Sequence, residues 1–456
     1  MSLTMQVFSQ LQLFLSPKLI CLLTYFFLLP CFLLPAQTDS FILHTQTYLE
    51  ELAQDEDFGL SITIAQGEEV LLSAAYGMAN RAHRVPNRVD TKFNIASIGK
   101  MFTAVAILQL EEKGKLDLKK TLGQYVPDFP NTYIRDSVTI HQLLTHSGGL
   151  PLWFSPAFDG QPKFQYLKLE DFLPLYMDLD IDRSKIGQHS YSNVGFMALG
   201  YVIEAVSGQP YPAYLQAHIF DPLGMKETGL WSLTEIVPNG ATGYMRPAHA
   251  ADWWKPNHHR NKSSSPAGGA YASSQDLITF YQSLLANKLI NASSLETMLS
   301  PQVESYYGHY GYGIGLNANN DQAIIGHLGG YYGVRGELLW YEAQNYLIAI
   351  LANSDQTDYT DVSYFIKMQL TGTPVQKSAY IRTTELLQSP IWKETQNEED
   401  IKELIGGKAL DEALIQIKGY YHFNRQEYAQ ARMYFLLNSL AFPDSAAAQR
   451  DLQRVN

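Results

Sequence analysis

Phe93-Asn94-Ile95-Ala96-Ser97-Ile98-Gly99-Lys100-Met101-Phe102-Thr103-Ala104 passes from a strand-like run into a helix, with Ser97 and Lys100 three residues apart. On a helix, residues i and i+3 share a face, so the Ser97 hydroxyl and the Lys100 amine are expected to meet. A serine at a helix N-terminus also lies beside unpaired backbone N–H groups and the positive end of the helix dipole. The segment therefore offers a nucleophile, a proton acceptor and donors for a developing oxyanion. The spacing by itself is common, since a chain of this length holds about one or two such matches by chance. The rest of the chain decides what it means.

Working outward, Met101, Ala104, Val105, Leu108 and Leu110 continue at helical spacing, and the helix is expected to end near Lys113-Gly114. Upstream, Gly59 to Ile64 and Val70 to Tyr76 are short β-rich runs around Gln66-Gly67-Glu68, which reads as a hairpin. Downstream, to about residue 300, helices and long loops dominate. Thr139 is placed to cap a short helix, Val194 to Val206 reads as another closed by Ser207-Gly208, and Ser273 or Ser274 precedes a third from Asp276 to Ala286. Strand character returns in Gly311 to Leu316, Gln322 to Ile325, Gly336 to Tyr341 and Tyr346 to Ala352. The expected fold is α/β of the α+β kind: an antiparallel sheet built from N- and C-terminal strands, flanked by helices, with a large mostly helical insertion. A small all-α segment is expected at the C-terminus.

The whole chain has 456 residues, 46 % of them hydrophobic and 12 % aromatic, which excludes a disordered protein. A net charge of −12 gives no reason to expect nucleic acid as a partner. Residues 1–36 differ from the rest: Lys18 is their only charge, and Leu19 to Pro35 is almost wholly apolar before the break at Ala36-Gln37. They read as a signal peptide or an N-terminal anchor, so a periplasmic or secreted bacterial protein is expected, membrane-bound only if the leader is retained. Cys21 and Cys31, the only cysteines, lie within it. A mature chain would then have no disulfide, thiol nucleophile or cysteine-bound metal. A main domain is expected over 37–370, a polar linker over 371–400 and a helical tail over 401–456. In the tail, Gly419, Ala431, Phe435 and Pro443 match the intervals of a tetratricopeptide helix pair, with His422 where that pattern usually has an aromatic. A single pair is expected to pack on the main domain, with docking of a protein partner as the alternative.

Three further signals follow Ser97 in order. Tyr191-Ser192-Asn193 opens the helix from Val194. A tyrosine phenol relays a proton if nearby cations lower its pKa, and an amide can bond both a lysine and a substrate carbonyl. Gly326-His327-Leu328-Gly329-Gly330 follows a strand, where glycines admit close backbone approach and His327 is a candidate cation beside the tyrosine. Thr145-His146-Ser147-Gly148-Gly149-Leu150-Pro151 reads as turn structure, with His146 tying backbone together. No G-x-S-x-G elbow and no H-E-x-x-H is evident, and the adjacent His258-His259 point apart on most backbones. No metal and no cofactor are expected.

Taken together, these segments resemble the serine β-lactamase-like superfamily, in its class C, penicillin-binding and carboxylesterase branch, over about residues 40 to 355. Ile219 to Met225, Gly268 to Leu277 and Ile348 to Ser354 also look like that family. The resemblance implies that Ser97 attacks a carbonyl to form an acyl-enzyme. It implies Lys100 and Tyr191 as shared general base, with Tyr191 protonating the leaving group and Asn193 orienting Lys100 and substrate. The backbone N–H groups of Ser97 and Gly330 would form the oxyanion hole.

One departure narrows the substrate. Where β-lactamases proper usually carry Lys-Thr-Gly, this chain has His327-Leu328-Gly329. A permanent cation suits carboxylate-bearing β-lactams, whereas histidine is only partly charged near neutrality. Arg335 is a candidate replacement anion contact, or else pairs with Glu337 or Glu342. The reading is an exported serine hydrolase acting on an ester or amide of small-molecule or peptidoglycan-like type. D-Ala-D-Ala carboxypeptidase, D-amino-acid peptidase and β-lactamase are the alternatives within that class. A non-catalytic penicillin-binding-type interaction protein is the alternative outside it.

Overall fold

The computed structural model describes residues 34–54, 58–154, 158, 163–245, 255–258, 262–305, 308–319, 322–354, 358–371, 383, 386–387, 389–395, 397–407, 410, 412–424 and 426–455. The chain divides at Leu52 into two units. The described part of the first is the helix α1 (Leu34–Leu52), which contains Ala36, the expected cleavage point. The rest of the expected leader lies outside the described residues. Among the described residues no helix is long and apolar enough to cross a membrane.

The second unit is organised by one eight-stranded sheet. Its strands are β1 (Leu60–Gln66), β2 (Glu69–Tyr76), β3 (Val303–Ser305), β4 (Gly308–Tyr310), β5 (Gly315–Asn319), β6 (Gln322–Tyr331), β7 (Val334–Tyr341) and β8 (Tyr346–Ala352). They lie in the order β2-β1-β8-β7-β6-β5-β4-β3, all antiparallel. The N-terminal hairpin joins the C-terminal strands through β1 on β8, with Ser61 opposite Leu351. The sheet is thus built from both ends of the domain, as the distribution of β-rich runs predicts.

Two strand boundaries differ from expectation. The strand expected from Gly311 begins at Gly315, because Gly311 to Ile314 form a tight loop closed by Gly311 N–H donating to the Ile314 carbonyl at 2.8 Å. The strand expected to stop at Ile325 runs on to Tyr331, so the glycine-rich motif lies inside β6. Pairing with β7, from Ile324 opposite Tyr341 to Tyr331 opposite Val334, overrides the low strand preference of those glycines. Strands β3 and β4 are short and polar and carry no alternation that a sequence reader could use.

Helices cover both faces. On one side lie α2 (Gly99–Glu112), α3 (Asn193–Ser207) and α4 (Ser274–Leu285), close to the expected bounds. Every residue of α2 from Gly99 to Leu110 is buried, which makes it the centre of the apolar core. The starts of α3, α4 and the short helix Ile140–Leu144 are capped: Ser192 accepts from Gly195 N–H, Ser273 from Asp276 N–H, and Thr139 forms a capping box with Gln142. The Ser274 hydroxyl bonds Ser61 Oγ at 2.9 Å and Thr63 Oγ1 at 2.8 Å, which seats α4 on β1. Side chains alternate along a strand. Glu337 of β7 therefore faces the other side, where Tyr359 and Ser363 of α5 (Asp358–Leu370) bond its carboxyl.

The tail holds α6 (Glu398–Ile405), α7 (Glu412–Asn424), α8 (Tyr428–Ala441) and α9 (Ala446–Gln453). Its apolar cluster is separate from that of the main domain and joins Leu386, Trp392, Ile401, Leu410, Ile415, Leu436 and Leu437. The expected linker over 371–400 therefore contains structure: Pro390–Glu394 is helical, and the charged run after Asn397 opens α6 with Asn397 as its cap. Polar residues on the outer face of a short helix look like a linker when read without the buried Trp392 and Ile401. His422 stacks on Tyr434 with ring centroids 5.0 Å apart.

Candidate active site

The nucleophile turn is held on both sides. Phe93–Asn94 pairs with Tyr271–Ala272, and Ala96 to Ile98 form a single 3-10 turn that runs into α2. Asn94 Oδ1 accepts from Ala96 N–H at 2.9 Å, and the Ala96 carbonyl accepts from Gly269 N–H at 3.0 Å. Ala96 itself sits at φ +43°, a left-handed conformation that costs a non-glycine residue about 1 kcal/mol. Gly268, at φ +135°, passes so close that a Cβ would stand 2.2 Å from the Ala96 carbonyl oxygen. From the other side β6 presses on the same turn, where a Cβ on Gly329 would stand 2.3 Å from the Ile95 carbonyl oxygen. That contact sets Gly330 beside the turn that carries Ser97.

Lys100 is fully buried, and its Nζ makes three polar contacts. It lies 2.7 Å from Asn193 Oδ1, 2.5 Å from the Ala267 carbonyl oxygen and 3.1 Å from Ser97 Oγ. A neutral amine has two hydrogens and one lone pair, and this set offers two obligate acceptors and one hydroxyl. Burial drives the Lys100 pKa well below that of a free lysine, and the charge of Lys262 pushes it the same way. A neutral Lys100 would turn its lone pair to the Ser97 hydroxyl, 3.1 Å away. Lys262 is held over two aromatic faces, its Nζ 3.8 Å from the Trp153 ring centroid and 4.5 Å from that of Tyr331.

Tyr191 and Asn193 arrive together at the start of α3. The Tyr191 phenol lies near enough to the Ser97 side chain to feel it, and Lys100 Nζ lies 4.9 Å from the centre of its ring. The expected lowering of the Tyr191 pKa is reversed. Burial pushes it up, and the Ser97 side chain only partly opposes that. At rest the phenol keeps its proton, and burial favours the neutral form of the Lys100 amine.

His327 needs a second correction. It lies on the α2 face of β6, buried, with its ring 6.2 Å from that of Tyr191. Its Nδ1 is 2.6 Å from the Leu328 carbonyl, an acceptor only, so Nδ1 carries the proton and Nε2 accepts from the Tyr310 hydroxyl at 3.0 Å. Burial lowers its pKa to about 3. It is a neutral hydrogen-bonding residue, not the cation expected beside Tyr191.

Arg335 is the third. It pairs with Gly330 across β6 and β7, on the same face as Glu337 and opposite to that of His327. Its Nη1 donates to the carbonyls of Tyr331 and Val334, both at 2.8 Å, and so braces the hairpin turn outside the Ser97 face. The Glu337 carboxyl bonds Tyr359 and Ser363. Of the two histidines at 258–259, His259 lies outside the described residues. Lys262, Tyr310 and the Ala267 carbonyl are missing from the sequence reading. A backbone acceptor leaves no residue signature, and one tyrosine among 29 cannot be singled out without the fold.

Comparison with known proteins finds relatives over much of the chain. The family described as Beta-lactamase matches residues 47–370. The putative penicillin-binding protein PbpX of Bacillus subtilis is 32 % identical over 262 residues, 57 % of this chain and 62 % of that protein. Penicillin-binding protein 4* of the same organism is 28 % identical over 333 residues, 69 % of this chain and 73 % of its own length. The chain thus spans about three fifths to three quarters of these relatives. Among solved structures, a penicillin binding protein from Bacillus halodurans is 31 % identical with a TM-score of 0.63, covering 70 % of this chain and 98 % of that one. D-amino acid amidase from Ochrobactrum anthropi shares the fold at 22 % identity and a TM-score of 0.60, covering 72 % of this chain and 99 % of its own.

Proposed function

The chain belongs to the Beta-lactamase family of serine hydrolases, and we propose that it is an exported enzyme that cleaves an ester or amide through an acyl-enzyme on Ser97. The observation that carries this reading is the set of contacts around Lys100: two acceptors for its N–H groups, and the Ser97 hydroxyl for its lone pair. In the first step Ser97 Oγ bonds to the substrate carbonyl carbon as its proton passes to Lys100 Nζ. The carbonyl oxygen becomes an oxyanion, held by the Ser97 and Gly330 N–H groups. As the bond to the leaving group breaks, Tyr191 hands its proton to the departing oxygen or nitrogen and recovers one from Lys100. Water then attacks the acyl-enzyme, with the same groups working in reverse.

The neutral His327 turns the site away from a dedicated β-lactamase, because the position that would carry a permanent cation has none. The penicillin-binding relatives and the D-amino acid amidase fold support amide and peptide substrates alongside esters. Export rests on the apolar leader, as proposed from its sequence. Intact-protein mass spectrometry after exposure to a fluorophosphonate and to a penicillin tests the reading. One fluorophosphonate adduct is expected on the native chain and none on Ser97→Ala. Folded protein that takes up neither reagent would make the chain a non-catalytic binding protein instead. Turnover of a chromogenic ester without turnover of a chromogenic cephalosporin is expected.

A further inference from the structure

The turn Thr145 to Leu152 lies alongside the segment that carries Tyr191 and is bonded to it repeatedly. Gly187 N–H donates to the Ser147 carbonyl at 2.8 Å, Ser190 N–H to the His146 carbonyl at 2.8 Å, and Asn193 N–H to the Leu152 carbonyl at 3.1 Å. Ser192 Oγ donates to the Pro151 carbonyl at 2.7 Å while capping α3. At the centre, His146 touches Tyr191 from three sides. Its carbonyl holds the residue before, its Nδ1 accepts from Ser192 N–H at 3.1 Å, and its ring lies 4.2 Å from the phenol ring at 40°. To reach both neighbours His146 adopts φ +56°, a left-handed conformation uncommon outside glycine. Strain of this kind persists only where the surroundings hold it in place.

The side chain is buried, and Nδ1 acts as an acceptor, so the ring proton sits on Nε2. That nitrogen has no hydrogen-bond partner among the described residues. A metal-binding role is inconsistent with this tautomer. A role in general acid–base chemistry is inconsistent with burial that holds the imidazole pKa well below its usual value. What the residue does instead is fix the backbone on either side of one phenol, and the plane of that phenol.

We infer that His146 is a positioning residue for Tyr191, and that the glycine-rich turn around it is a template that aligns the proton-donating phenol on Ser97. The inference rests on the serine-hydrolase reading above. Three variants separate alignment from mere packing. His146→Phe keeps a ring but has no acceptor for Ser192 N–H. His146→Gly relaxes the backbone strain and loses both ring and acceptor. His146→Asn keeps a side-chain acceptor close to the backbone and tolerates the left-handed conformation.

With a chromogenic ester, kcat is expected to fall about 10²-fold in the Phe and Gly variants, with KM within about threefold, since small misplacements of a reacting group act on the chemical step. His146→Asn is expected to recover kcat to within about fivefold of the native chain. If His146→Phe fails to fold, the contrast between the Gly and Asn variants decides alone. A folded Gly variant as fast as the native chain, or an Asn variant as slow as Gly, overturns the inference. Absence of Ser97 acylation in the native chain overturns the hydrolase reading and this inference with it. Normal native acylation with unaltered variants overturns the inference alone.

Discussion

At the scale of single residues, the proposed acyl transfer depends on a proton being absent from Lys100. The amine is buried, faces two carbonyl-type acceptors and lies within the field of Lys262. Each favours the neutral form or is satisfied by it. The Lys262 charge supplies what sequence reading assigned to His327, a positive charge near the base, but it acts on Lys100 and not on the phenol. Replacing it gives a signed prediction. Lys262→Gln removes a neighbouring positive charge, so Lys100 holds its proton more strongly and its pKa rises. The acid limb of the kcat/KM profile is therefore expected to shift to higher pH, by about half a unit to one unit if the charge acts across a partly solvated gap. A profile superimposable on that of the native chain would show that burial alone sets the base. Ser97 and Lys100 were marked in the sequence by their three-residue spacing, and Tyr191 and Asn193 by their place in an ordered set of segments that resembles the serine β-lactamase-like superfamily. The direction of the Tyr191 and His327 shifts was not, since burial depends on segments remote in sequence.

At the scale of elements, the sheet joins two chemistries on opposite faces. Strands β6 and β7 present His327 and Gly329 to the Ser97 turn, and Glu337 to α5. Burial raises the Glu337 carboxyl to about 7, with the bonds from Ser363 and Tyr359 opposing the shift. A carboxyl whose folded pKa lies above its unfolded value binds its proton more tightly in the fold. Its contribution is complete below the unfolded carboxyl range and is lost as pH rises through about 7. Between about pH 5 and pH 8 the native chain is expected to lose roughly 3 kcal/mol of stability from this group. Glu337→Gln, neutral throughout, is expected to flatten that slope; urea unfolding at the two pH values measures both. A native slope that survives the substitution would assign it to other groups. The strands themselves were legible where apolar residues are dense, as in β1 and β8. They were illegible where pairing, not propensity, makes the strand: in the glycines of β6 and the polar residues of β3 and β4.

At the scale of the whole molecule, the tail packs around its own apolar cluster, separate from that around α2. Trp392 is the largest side chain in the tail cluster and is 8 % exposed. Trp392→Ala is expected to destabilise the tail by about 3–5 kcal/mol, read as faster proteolysis after residue 371, while Ser97 labelling proceeds at the native rate. Loss of labelling would show that the acyl site depends on the tail. The closure of β1 on β8 has a further consequence, for the order in which activity appears. During synthesis Ser97 and Lys100 emerge early, and β6 to β8 emerge long after them. Long-range pairings of this kind form late in folding. Until they form, Gly329 does not press on the Ser97 turn and Gly330 is not in place beside it. For the proposed chemistry the unfinished chain lacks half of its oxyanion hole, and strands made long after the nucleophile complete the site.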